Sequence, residues 1–219
     1  DHYCNSFMIF CFPPISSILF IAIQAMTGDT TNITGYYYLQ GVRETAAGIH
    51  FKPDSTFEFF YSYGASDRYA NGTYSISNGK LIIKGDKLPG NDLKVINSSR
   101  KGTGFSLKVV HKNPVLTSDI ICIRGEGDVQ HTDRQGRVVA PEKPDSIQLI
   151  HPFFPDEPTV IRFAEFPKEH NYFELELQPQ LEQVCFLDVA IEIKDGKFSV
   201  QLPWLFGERV VTFYREENQ

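Results

Sequence analysis

Aromatic and polar residues alternate with a period of two through residues 36–84, and turn-forming residues interrupt the alternation at regular points. Phe57, Phe59, Tyr61 and Tyr63 fall on one face of a predicted strand, with Glu58, Phe60 and Ser62 on the other. Ala70, Gly72, Tyr74 and Ile76 then share a face opposite Asn71, Thr73, Ser75 and Ser77. The interruptions are Pro53-Asp54-Ser55, Gly64-Ala65-Ser66-Asp67 and Asn78-Gly79. The last is a strong signal for a two-residue hairpin turn, because both residues tolerate positive φ. Leu81, Ile82 and Ile83 form the return strand. Residues 36–41 and 49–52 add two strands upstream, and 105–110 is read as the strand that closes this module. No segment here carries a helical period.

Beyond residue 112 the texture changes. Asn113-Pro114 reads as a boundary, since proline disfavours regular pairing and sets a bend. Short apolar runs follow at 120–124, 147–150, 160–163, 173–177, 189–193, 198–202 and 210–214. Short strands separated by turns predict a β-sandwich. Asp195-Gly196 is read as a tight hairpin joining two of them. The expected organisation is a hydrophobic segment at 1–28, a β-barrel domain at 29–112 and a β-sandwich-like domain at 113–219. A single continuous sheet system is the alternative.

Three motifs carry a resemblance. Gly35-Tyr36-Tyr37 opens the first strand, Pro53-Asp54-Ser55-Thr56-Phe57 forms a hairpin, and Gly72-Thr73-Tyr74 precedes the Asn78-Gly79 turn. This segment resembles the lipocalin-like domains of bacterial exported proteins, which pair a glycine-aromatic strand with a "PDGTF" hairpin and a "GTW" strand. Ser55 stands where that motif has glycine, and Tyr74 where it has tryptophan. The resemblance implies an all-β fold class, with a small lipocalin-like antiparallel barrel followed by the sandwich. The stretch from Thr132 to Val139 resembles the "D-x-x-G-x-x-V" opening of transthyretin-like and immunoglobulin-like modules, through Asp133, Gly136 and Val139.

Composition narrows the function classes. The net charge of −6 and the scattered basic residues argue against nucleic acid, which attracts clustered Lys and Arg. From Phe7 to Ala25 there is no charged residue. The apolar run at 15–23 has the length of a signal-peptide core, with Ala25 as the small residue at the cut. The protein is therefore expected to be exported, to the periplasm, the cell envelope or the medium. Membrane contact is expected only through this segment if it is retained. Cys4 and Cys11 would leave with it. Cys122 and Cys185 each lie in an apolar run and read as buried core thiols rather than ligands, since no metal-type spacing occurs.

Candidate chemistry is sparse. His151, Pro152, Phe153, Phe154, Pro155, Asp156, Glu157 and Pro158 form the densest polar-aromatic cluster. His151 with Asp156 or Glu157, joined by His170, would make a metal or acid/base site; a Pro-punctuated loop folding its Phe residues onto the core is the simpler reading. Replacing His151 or Asp156 with Ala is accordingly expected to leave any activity nearly intact, with a modest change in stability. Asp67-Arg68 either orients a polar ligand group at a barrel mouth or finishes a hairpin with Arg68 in solvent. No nucleophile elbow, P-loop or dinucleotide fingerprint occurs. No catalytic residue, metal ligand or cofactor is assigned, and the chain leans away from an enzyme. The leading expectation is a binding module for a small apolar or amphipathic ligand, with Tyr36, Tyr38, Phe57, Phe59, Tyr61 and Tyr74 lining the cavity. A filled core would favour instead a structural or interaction protein of the cell envelope with protein partners at sheet edges.

Overall fold

The computed structural model describes residues 33–64 and 66–217. The signal-like segment, Cys4 and Cys11 lie outside the described residues. The strands are β1 (Gly35–Gln40), β2 (Thr45–Phe51), β3 (Thr56–Tyr63), β4 (Ser66–Ser77), β5 (Lys80–Gly85), β6 (Leu93–Ser99), β7 (Phe105–Val110) and β8 (Ile121–Arg124). They continue as β9 (Asp128–His131), β10 (Arg137–Ala140), β11 (Ser146–His151), β12 (Phe154–Arg162), β13 (Tyr172–Leu177), β14 (Val189–Ile191), β15 (Lys197–Gln201) and β16 (Val210–Arg215). One short helix, α1 (Pro203–Phe206), lies between β15 and β16. The fold is all-β, as the alternation predicts.

Eight strands form an antiparallel sheet in the order β14-β5-β4-β3-β2-β1-β16-β15, and its two end strands approach each other to nearly close a barrel. β1 to β5 are a meander whose turns follow the expected chemistry. Asn78 and Gly79 take φ of 52° and 73°, and Ser55 takes 66° at the tip of the preceding hairpin. Gly72 faces Gly85 across β4 and β5. A Cβ at Gly72 would sit 2.1 Å from the Lys84 carbonyl oxygen, so this close approach of backbones excludes any side chain.

The remaining strands form two four-stranded sheets, β10-β7-β13-β6 and β12-β11-β8-β9. They face a shared core that includes Leu107, Cys122, Ile147, Leu149, Phe173 and Leu175, all nearly inaccessible. This is the expected sandwich, but the sheets do not divide at residue 112. β7 does not close the barrel: it pairs with β10 and, in parallel, with β13. The barrel is completed by β16 against β1, with Tyr38 opposite Tyr214. The sandwich is therefore inserted between β5 and β14. Asn113-Pro114 caps a single 3₁₀ turn within it, the Asn113 side chain accepting from the Val115 amide.

Two further expectations change. His151–Pro158 is not a loop: Phe154 begins β12, and His151 pairs with Phe154 across a tight connection. Pro155 and Pro158 are tolerated because β12 is an edge strand, where a missing N–H breaks no ladder. Phe154 turns into the core, while Phe153 stays half exposed.

The barrel interior is aromatic and filled. Tyr37, Phe51, Phe57, Phe198 and Phe213 are among its buried rings. Phe57 and Phe59 both meet Phe186 edge-on, with centroids 5.6 and 5.1 Å apart. The void left among Ile49, Phe59, Phe186, Phe198 and Phe213 is about 10 Å³, the space of a single water. Burying each such ring contributes about 1.5–3 kcal/mol, so the interior is a stability device.

Candidate functional site

The filled interior leaves no room for a ligand where the sequence placed a cavity. Of the residues expected to line a cavity, Phe57, Phe59, Tyr61 and Tyr74 are buried in the packed barrel core. Tyr36 and Tyr38 are not inside at all. Tyr37 takes the inward position, and Tyr36 and Tyr38 lie on the outer face, 46% and 36% exposed. Tyr36 stacks there on His50, centroids 3.8 Å apart. Each buried hydroxyl is satisfied: Tyr37 donates to the Ile33 carbonyl, Tyr74 to that of Lys52 and Tyr61 to that of Leu205.

Open space lies instead at one end of the barrel. The β1–β2 turn, the β3–β4 turn and α1 all meet there. Pro203 starts α1 and Gly207, at φ 62°, ends it, so the single turn presses Leu205 and Phe206 into the barrel end. Two clefts flank this plug. One, of about 450 Å³, is bounded by Val42, Thr45, Phe206 and the exposed Arg43 and Arg209. The other, of about 380 Å³, is bounded by Ser66, Arg68, Phe153, Pro155 and Trp204. Tyr61, Tyr63 and Leu205 line both. The second is roofed from the sandwich by the β11–β12 connection, where Ser66 Oγ donates to the Phe153 carbonyl at 3.4 Å.

Beside that cleft lies a buried charge cluster. Arg68 does not finish a hairpin in solvent; it is 3% exposed. β4 extends back to Ser66, and strand alternation then points Arg68 inward with Ala70, where Asp156 of β12 meets it. Asp67 points outward and accepts from Ser62 Oγ at 2.6 Å. Arg68 Nη2 lies 2.8 Å from Asp156 Oδ2 and donates to the Gln183 carbonyl at 2.9 Å. Lys87 Nζ donates to the same Asp156 oxygen at 2.8 Å and to the carbonyls of Leu181 and Gln183. The Cys185 amide donates to Asp156 Oδ2 at 3.2 Å. Asp92 Oδ1 makes an ionic contact with Lys87 Nζ at 2.7 Å, without hydrogen-bond alignment. Burial pushes the Asp92 carboxyl above its usual range, and Lys87 only partly opposes this.

Some buried atoms remain unsatisfied. Arg68 Nε and Nη1, Trp204 Nε1 and Asp156 Oδ1 have no hydrogen-bond partner among the described residues. Such orphans are uncommon in folded proteins and each needs a cause.

The other sequence candidates separate. His151 is 1% exposed; its Nε2–H donates to the Leu116 carbonyl at 3.0 Å, and Nδ1 accepts from the Phe153 amide at 3.3 Å. Both ring nitrogens are thus committed in the neutral form, and burial pulls the pKa down to about 4. His170 instead meets Ser98 Oγ at 2.9 Å. His151, Asp156 and His170 therefore serve three separate environments. Among the described residues no group of three or more His, Cys, Asp or Glu side chains is placed to hold a metal. Cys122 and Cys185 are free buried thiols, and burial pushes Cys122 up to about 12, far from a nucleophile's range. Lys87, Asp92 and Trp204 are absent from the sequence-level candidates. Lys87 and Asp92 flank an ordinary Pro89-Gly90 turn and carry no signal; Trp204 is the chain's one tryptophan, framed by Pro203 and Gly207, and that framing was readable. No protein-family model matches the chain, and neither does any curated protein.

Proposed function

We propose that this protein is an exported, non-catalytic binding module that holds a small amphipathic ligand at the end of its barrel. The observation that carries this reading is the pair of clefts of about 450 and 380 Å³ sharing Tyr61, Tyr63 and Leu205. Their volumes fall in the range that small ligands occupy, and the aromatic wall they share, with polar and charged groups around it, suits an amphipathic molecule. The interior, with its void of about 10 Å³, has no room for a ligand. A lipocalin-like relationship remains part of the proposal, with the ligand moved from the inside of the barrel to its mouth. Export rests on the uncharged segment from Phe7 to Ala25.

Native mass spectrometry of the purified full chain tests the reading. A co-purified or added amphiphile that binds with one-to-one stoichiometry, and is lost on Tyr63→Ala, supports it. A chain that takes up no amphiphile, charged or neutral, overturns it. The mass of the mature N-terminus in fractionated cells tests export.

A second reading has its own support. The sandwich presents β6, β9, β10 and β12 as edge strands, and Val129 of β9 and Val139 of β10 are 51% and 68% exposed. A structural or interaction protein of the cell envelope would pair partners at such edges.

A further inference from the structure

We infer that the cleft between the barrel end and the β11–β12 connection recognises a carboxylate, received by Arg68 and Trp204, with the ligand's apolar part lying on Tyr61, Tyr63 and Phe153. This rests on the binding-module reading and names the chemistry of its ligand. The first ground is the polar lining. Tyr61, Tyr63, Ser66, Arg68 and Trp204 supply guanidinium, indole and hydroxyl groups, and no carboxylate or amide side chain lines the cleft. Tyr61 has already spent its proton on the Leu205 carbonyl. The second ground is the unused donors. The Arg68 side chain is 1% exposed, and its Nε and Nη1 have no acceptor; neither does Trp204 Nε1.

Arg68 cannot satisfy these nitrogens by turning to Asp156 alone. Its Nη2 is already held between Asp156 Oδ2 and the Gln183 carbonyl, which fixes the plane of the fork. Nε and Nη1 stand on either side of that anchored nitrogen, so each keeps an N–H that can donate to a single carboxylate oxygen. Lys87 contributes a second cation behind Asp156, so the local carboxylates are already compensated before a ligand arrives. A neutral head group would answer these N–H groups without a compensating charge, and a cationic one would meet Arg68 directly. The other cleft carries exposed charges of both signs, Arg43, Glu44 and Arg209, whose net pull on an anion is weak and screened by salt.

The chain's sole tryptophan is Trp204, so its fluorescence reports this cleft and no other place. The test titrates the full chain with decanoate, decanol and decyltrimethylammonium below their micelle concentrations. Decanoate should bind about tenfold or more tighter than decanol, as a charged hydrogen-bonded contact implies, and should shift Trp204 emission. Arg68→Lys keeps the charge and loses the Nε and Nη1 donors, and should remove most of that preference. Because Arg68 is buried, Trp204→Phe is the second variant: it keeps a ring in place, loses the donor, and is read by calorimetry. Both variants are checked for a native thermal transition. Equal affinity for decanoate and decanol would overturn the carboxylate assignment while leaving the binding module intact. Loss of the preference on Arg209→Gln but not on Arg68→Lys or Trp204→Phe would overturn it too, moving the head group to the other cleft. Absence of binding by all three amphiphiles would defeat the binding-module reading itself.

Discussion

The barrel interior and the seam between barrel and sandwich are buried to the same degree, yet they are built on opposite principles. The interior is packed with rings, its hydroxyls are each paired to a carbonyl, and the void is about 10 Å³. The seam holds two cations and two carboxylates, Arg68, Lys87, Asp92 and Asp156, with four polar atoms of Arg68, Trp204 and Asp156 left unpartnered. Close packing stabilises without asking for a partner, whereas buried charge is costly unless every group is answered. The difference teaches where to look for function. The aromatic stripe, the most conspicuous feature of the chain, packs the barrel core; the unpartnered polar atoms lie at the seam, where the proposed site is.

The sharpest way to break that contrast is to damage each region and compare the losses. Asp156→Ala leaves Arg68 without a counter-charge and Lys87 with Asp92 alone, and should cost about 3–5 kcal/mol of unfolding free energy. Phe59→Ala in the interior should cost a similar amount, about 3–5 kcal/mol, through the cavity it opens. Urea denaturation measures both. A loss below about 1 kcal/mol for Asp156→Ala would mean that the charges are answered by solvent and that the seam is not a buried network. The expected size also corrects the sequence-level view that Asp156 matters only modestly. That view treated it as a loop residue, but its side chain is 2% exposed and held by three donors.

Next in size is a pH effect confined to the sandwich. His151 ordinarily titrates near 6.5 and is held down to about 4 in the fold by burial. Below pH 6.5 the unfolded chain takes up a proton that the folded chain refuses, so stability falls with pH through that window. The loss should approach about 3 kcal/mol by pH 4 and level off beneath it. His151→Asn should flatten this part of the profile, as read by thermal melts between pH 7 and 4. An unchanged slope in the variant would place the titrating group elsewhere.

Smaller effects separate the inside of the barrel from its outside. Tyr61→Phe removes the bond to the Leu205 carbonyl that holds α1 on the barrel end, and should cost about 1 kcal/mol by thermal denaturation. Tyr36→Ala removes outer-face stacks on His50 and Tyr38 and should cost about 0.5 kcal/mol. If Tyr36→Ala proved the more damaging of the two, the assignment of inner and outer faces would be reversed.

The fold was legible wherever a local rule decided it. Residues 57–63 and 70–76 alternate cleanly because one face of each strand is buried, and the Asn78-Gly79 turn adopts the positive φ it requires. The parity of β1 was not legible. Three consecutive tyrosines, Tyr36 to Tyr38, satisfy either face, and only the packing of Tyr37 against Phe51 and Phe198 chooses between them. The site was less legible still. Tyr61 was named from alternation, but for a cavity inside the barrel, and Arg68 was read either as a ligand-orienting group at a barrel mouth or as a solvated turn residue. Nothing near Lys87 or Asp92 announces that they will be buried.

What the sequence determined by itself is therefore local: an all-β chain, most of its strands, and hairpins placed by residues that accept left-handed backbone. Those choices depend on neighbours a few residues away, whose energies any isolated segment already carries. What only the tertiary structure decided is long-range. β16 closes the barrel against β1 across some 170 intervening residues, the sandwich is inserted rather than appended, and Asp156 from β12 meets Arg68 from β4. Strand order is set by which apolar faces can bury one another once the whole chain collapses, and the charge of a buried residue is tolerated only when a distant partner arrives. Neither condition is written in any one stretch of the chain.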